Sequence, residues 1–190
     1  MGFSSIVKPK GGVGLDGSNG ANSDFVFIAS ATASSSASLI FDNIFTDEYD
    51  NYFIRFFNFV PATNGATLGF VFRKPSLEDV AGTYYYGFID CQLNASASGT
   101  SGGSASYGLL ADTLSNIALE NTNGSLTISP NSNHVKRWNL EICRRHTGGD
   151  YLSQRGGILI CDWSVAGIKF NFTSGNIATG TVQIYGLKKT

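Results

Sequence analysis

Apolar and polar residues alternate along most of the chain, most regularly over residues 166–187. There Ile168, Phe170 and Phe172 alternate with Lys169 and Asn171, and Val182 and Ile184 alternate with Thr181, Gln183 and Tyr185. This two-residue period is that of a half-buried strand. Between the runs, Ser174-Gly175-Asn176 is turn chemistry, because Gly and Asn tolerate positive φ. The pattern predicts a closing β-hairpin, whose apolar face needs a second layer to be stable in water.

The same test predicts strands at 24–33, 36–41, 51–60, 66–73, 82–93, 107–111, 124–128, 134–145 and 156–165. Segment 51–60, NYFIRFFNFV, is apolar on both faces except at Arg55 and Asn58, which predicts a central strand covered on both sides. Asn64-Gly65 follows it and signals a hairpin. Residues 94–106, NASASGTSGGSAS, are all small and read as a low-complexity loop. No helical period stands out. About nine or ten strands without crossover helices predict an all-β, antiparallel sandwich, jelly-roll-like. Another Greek-key connectivity is the alternative. The sandwich occupies residues 24–190 as one domain.

Residues 1–23 are rich in Gly, Ser and Asn. Gly12, Gly14 and Gly17 have G-x-G-x-x-G spacing, but no strand precedes them and no helix follows, so the dinucleotide reading fails its context. An arm this poor in core formers is ordered mainly by a neighbour. Its expected course is extended over a partner subunit, with Phe3, Ile6, Val7, Val13 and Leu15 as contacts.

Composition narrows the function. Charged residues are 14% of the chain, against about 25% in an average soluble domain, so Ser, Thr, Asn and Gly build the surface. Such a surface suits packing against proteins or sugars. The net charge is −1, and a nucleic-acid binder's basic footprint is missing. Arg144-Arg145-His146 and Lys188-Lys189 read as solvated strand ends. Cys91, Cys143 and Cys161 form no C-x-x-C pair and read as buried free thiols in a reducing cytosol. The first residues lack an apolar signal core, and no run reaches the roughly 18 apolar residues of a membrane span.

Catalytic constellations are hard to assemble. His134 and His146 are twelve positions apart on one strand and cannot share a metal, so they read as surface histidines. Glu141, Asp162 and Asp90 sit in strand-like segments and read as buried or paired structural acids. No G-x-S-x-G elbow occurs. No catalytic, cofactor or metal residue is assigned, and the chain is expected not to be an enzyme. Tyr84, Tyr85, Tyr86 and Trp138 are conceivable sugar platforms, although alternation favours them as core aromatics.

Residues 41–72, FDNIFTDEYDNYFIRFFNFVPATNGATLGFVF, resemble a segment of small virion proteins of tailed bacteriophages, especially of aquatic hosts, with its N-x-x-P-A-T-x-G-A motif. Residues 174–189, SGNIATGTVQIYGLKK, are similar to their closing S-G-N-I-x-x-G-T-x-x-x-Y-G motif. The resemblance spans most of 36–189 and implies a β-sandwich built into a phage particle, with no catalytic residues to carry over. The expectation is a non-enzymatic virion structural protein assembled in the host cytoplasm. Its first form is a capsid decoration or cement protein, a homotrimer on the major capsid protein or another virion protein. The alternative is a tail, fibre or baseplate module that binds host surface glycan. Neither form calls for nucleic acid, membrane or cofactor.

Overall fold

The computed structural model describes residues 25–93, 98–130, 134–146 and 149–189. The arm contacts Phe3, Ile6, Val7, Val13 and Leu15 lie outside them. The described residues form twelve strands and no helix: β1 (Phe25–Ser36), β2 (Leu39–Phe41), β3 (Tyr49–Pro61), β4 (Ala66–Arg73), β5 (Tyr84–Gln92), β6 (Ser98–Ala105), β7 (Gly108–Leu114), β8 (Thr122–Ser129), β9 (Val135–His146), β10 (Gly149–Ile160), β11 (Gly167–Phe172) and β12 (Ile177–Lys188). All pairing is antiparallel. One sheet has the order β1-β12-β3-β8-β9-β10-β5-β6, the other β2-β11-β4-β7.

Without β5, β6, β9 and β10, the sheets reduce to β1-β12-β3-β8 and β2-β11-β4-β7. In chain order these eight strands alternate between the two sheets except at β4 and β7, which are neighbours in the small sheet, and this is the wrapping of a jelly roll. The expected fold class is therefore observed. The two hairpins β5–β6 and β9–β10 are insertions that widen one sheet beyond β8.

The alternation between sheets corrects two expectations. Strands β11 and β12 form no hairpin: β11 pairs with β2 and β4, while β12 pairs with β1 and β3. Asn64-Gly65 likewise links β3 and β4 across the sandwich. The turn chemistry itself was sound, since Gly65 and Gly175 have φ of 76° and 70°. The two arches brace each other: the Ala62 N–H donates to the Asn176 carbonyl at 2.9 Å. Period-two patterning identifies the buried face of a strand, but an arch and a hairpin bury the same face.

Strand β6 lies inside the expected small-residue loop and pairs with β5 from Tyr84↔Ala105 to Cys91↔Ser98 without a bulge. Its side chains are too small to show a hydrophobic period, so backbone pairing alone makes it a strand. Strand β10 starts earlier than expected and ends at Ile160, leaving Trp163 in a loop. Strand β3 is central, between β12 and β8, but no layer of the described chain covers its outer face. Its double apolar face has two causes: Phe53 and Phe57 stand half-buried on the outer face, and a bulge shifts the alternation further along the strand. Asn58 adopts φ 56° at a bulge, held by Asn123 Oδ1 on its N–H at 2.9 Å. The bulge resets the alternation so that Phe56 and Phe59 both point inward.

Aromatic rings fill the space between the sheets. Phe70 of β4 meets Trp138 of β9 at 5.3 Å and 90°, Phe72 at 5.3 Å and Tyr84 of β5 at 5.9 Å. Tyr84 also accepts the Phe72 N–H at 3.0 Å through its hydroxyl. Trp138 and Tyr84 are thus core residues, and they tie both inserted hairpins to the small sheet. Phe70→Ala is expected to lower stability by about 3–5 kcal/mol in urea unfolding, because such a rigid site cannot collapse onto the hole. A loss under about 1 kcal/mol would show that the hairpins are held elsewhere.

Candidate functional site

The outer face of the large sheet is the broadest built surface. Register places Gln183, Arg55, Ser125, Glu141, Gln154, Ile89 and Thr100 in one row across seven strands. A second row carries Cys143, Leu152 and Cys91. Shallow hollows between these rows run together around Glu141 into a trough, walled by Phe53 and Phe57 at one end and by Ile89 and Leu152 at the other. Ile89 is 55% exposed, Leu152 46% and Tyr85 47%. Phe25, 51% exposed, adds an edge-on contact to Phe53 at 5.8 Å. Few charges interrupt this face.

Several sequence expectations change here. Cys91 and Cys143 are exposed in the trough, and only Cys161 is buried. The single strand β10 separates Cys91 from Cys143, and two strand spacings of about 4.8 Å keep the thiols apart. Glu141 is exposed rather than buried, because its strand presents it to the uncovered face. Asp162 lies in the loop after β10, 88% exposed, with His134 Nδ1 at 2.7 Å. His134 is a surface histidine as expected; the side chain of His146 lies outside the described residues. Among the described residues no three His, Cys, Asp or Glu side chains converge to hold a metal ion.

Arg144 is the largest correction. It is no solvated strand end but a buried cation, its side chain 5% exposed. With Arg155, 1% exposed, it meets Asp90 and Asp112 on the inner face where β5, β9 and β10 pass the edge strand β7. Arg144 reaches Asp90 at 2.7 Å and Asp112 at 2.7 Å; Arg155 reaches Asp112 at 2.9 Å and Asp90 at 3.3 Å. The Phe88 ring lies 4.4 Å from the Arg155 guanidinium carbon. Two cations and two anions balance. Asp90 is the paired structural acid the sequence implied, but its partners were hidden, since alternation alone does not reveal that two arginines face inward.

The cluster links stability to pH. Burial pushes the Asp112 carboxyl up, but Arg155 and Arg144 beside it pull harder, so the carboxyl titrates below its ordinary value. Its folded pKa being lower than its unfolded value of about 3.9, its contribution is whole above that pH and is lost as pH falls through the depressed value. Asp112→Asn is therefore expected to flatten the acid limb of stability against pH, read from urea midpoints between neutral and strongly acidic buffers. Asp90→Ala, which strands buried guanidinium charge, is expected to cost about 3–5 kcal/mol at neutral pH. An unchanged acid limb in Asp112→Asn would remove the cluster from the account of acid stability.

Fold and surface together define a jelly roll with a widened sheet and a neutral, partly apolar outer trough. No protein-family model, curated protein or solved structure matches the chain.

Proposed function

We propose that the chain is a non-enzymatic structural protein of a tailed-phage virion, a capsid decoration or cement protein that works by being held against other proteins. The trough is the observation that carries this reading. It offers apolar and aromatic side chains on a rigid sheet, with Glu141 and Arg55 as the opposite charges among them, a mixture that a protein interface can cover. The low overall charge and the resemblance of residues 41–72 and 174–189 to virion proteins support it. In this reading the protein is a homo-oligomer, a trimer, seated on the major capsid protein. Residues 1–23 reach a neighbouring subunit through Phe3, Ile6, Val7, Val13 and Leu15. Many modest contacts acting together then give an avidity no single contact has. The second reading, a tail, fibre or baseplate module that grips host glycan, is favoured by the exposed Trp163.

Copy number separates the two. A lattice protein is expected in hundreds of copies per particle and a fibre module in a few tens at most, both roughly, from closed symmetry. Quantitative mass spectrometry of purified virions reads this directly. Ile89→Arg and Leu152→Arg change exposed side chains, so each is expected to shift stability by no more than about 0.5 kcal/mol while sharply lowering occupancy on the particle. Full occupancy by both variants would eliminate the trough as the contact. Deleting residues 1–23 is expected to weaken particle binding and leave the domain folded; unchanged occupancy would discard the arm.

A further inference from the structure

One end of the sandwich carries a cleft of about 490 Å³, within the range of small-molecule sites, about 300–1,000 Å³. Trp163 stands at it 55% exposed, against the usual deep burial of tryptophan. The ring is nevertheless fixed. Its loop is anchored by the Cys161 N–H on the His134 carbonyl at 2.9 Å and the Ala166 N–H on the Arg73 carbonyl at 2.8 Å. The Lys74 ammonium sits 4.0 Å from the ring centroid and is itself paired to Glu78 at 3.4 Å. Asp162, oriented by His134, also lines the cleft. Thr46 and Asp47 form another wall, pinned where the Tyr52 hydroxyl accepts the Thr46 N–H at 2.7 Å and donates to the Thr46 carbonyl at 3.2 Å.

We propose that this cleft binds a neutral saccharide, with the indole of Trp163 stacked on the apolar C–H face of a pyranose and Asp162 and Asp47 accepting hydrogen bonds from its hydroxyls. The exposed part of the lining favours this chemistry. A rigid exposed indole matches a flat C–H surface. Carboxylates in water are strong acceptors for hydroxyl donors and repel phosphate or acidic sugars. Lys136 also lines the cleft but is only 2% exposed, so the two exposed carboxylates outnumber it at the mouth, and Lys74 beside Trp163 is committed to that ring and to Glu78. The open, polar lining does not suit a purely apolar ligand. The site is separate from the trough and is independent of the assembly reading, since a head or a tail protein can carry it.

The protein contains two tryptophans, and Trp138 is 1% exposed, so acrylamide quenching reports on Trp163. The full chain is titrated with neutral gluco-, galacto- and manno-oligosaccharides and with N-acetylglucosamine oligomers. At least one class is expected to shield Trp163 from quenching and to retard the protein in affinity electrophoresis. Trp163→Ala is expected to weaken that retardation about tenfold, Trp163→Tyr less, with the melting temperature unchanged in both. Asp162→Asn is expected to weaken it as well. Absence of shielding by every class at millimolar concentration, or wild-type retardation of Trp163→Ala, would overturn the proposal. Either failure leaves particle occupancy unaffected.

Discussion

The edge-on contact of Phe70 with Trp138, centroids 5.3 Å apart, is the point on which the rest of the architecture depends. Phe70 belongs to the small sheet and Trp138 to an inserted hairpin. Both rings need glycine beside them. A Cβ at Gly108 would come within 2.2 Å of Phe70, and one at Gly157 within 2.3 Å of Trp138. A one-residue slip of β9 would turn Trp138 outward and put a charged neighbour, Arg137, in its place. The ring contact therefore fixes the register of β8, β9, β10 and β5, and through it the rows of side chains on the opposite, outer face. The trough's geometry is set by what happens on the inside.

Widening one sheet has a consequence the ring cluster does not solve. The small sheet stops at β7, so the inner face of the added strands runs out of apolar cover. Arg144, Arg155, Asp90 and Asp112 occupy that margin. This neutral ionic cluster fills that volume, keeps its charges paired, and holds β5, β7, β9 and β10 together across long sequence separations. It does so with a dependence on carboxylate ionisation that an apolar margin would not have.

How much of this was legible in the sequence follows from what period-two alternation encodes. It reports which side of a strand is buried, so the strands of Phe70, Phe170 and Val182, and the all-β class, could be read directly. It does not report which sheet a strand joins, so the arches at Gly65 and Gly175 read as hairpins. It is silent where side chains are too small to alternate, so β6 read as a loop. It also treats charge as exposed by default, which hid Arg144 and Arg155, whose inward positions follow from the register of Trp138 three pleat repeats away on β9 and from pairing with β10. Among sites, Trp163 was missed because an alternating run seemed to continue through Cys161; the strand in fact ends at Ile160.

The two candidate surfaces place opposite demands on one chain, and the fold separates them. A protein-contacting trough works by area: it needs many modest apolar contacts on a flat, inflexible support, which an eight-stranded sheet supplies. A saccharide cleft works by a few fixed groups, which loops supply only when they are pinned. The pins here are main-chain hydrogen bonds between loops 42–48 and 161–166: Ile44 and Phe45 donate to the Ala166 carbonyl at 2.8 and 3.0 Å. Those bonds come from the same end of the jelly roll that β2 and β11 close, far in function from the rows set by Trp138. The Trp163 loop continues directly from β10, but Leu152 lies eight residues before the strand ends at Ile160, away from the main-chain bonds that pin the loop. Each surface is therefore free to change without disturbing the other, the condition under which one scaffold can both assemble and recognise.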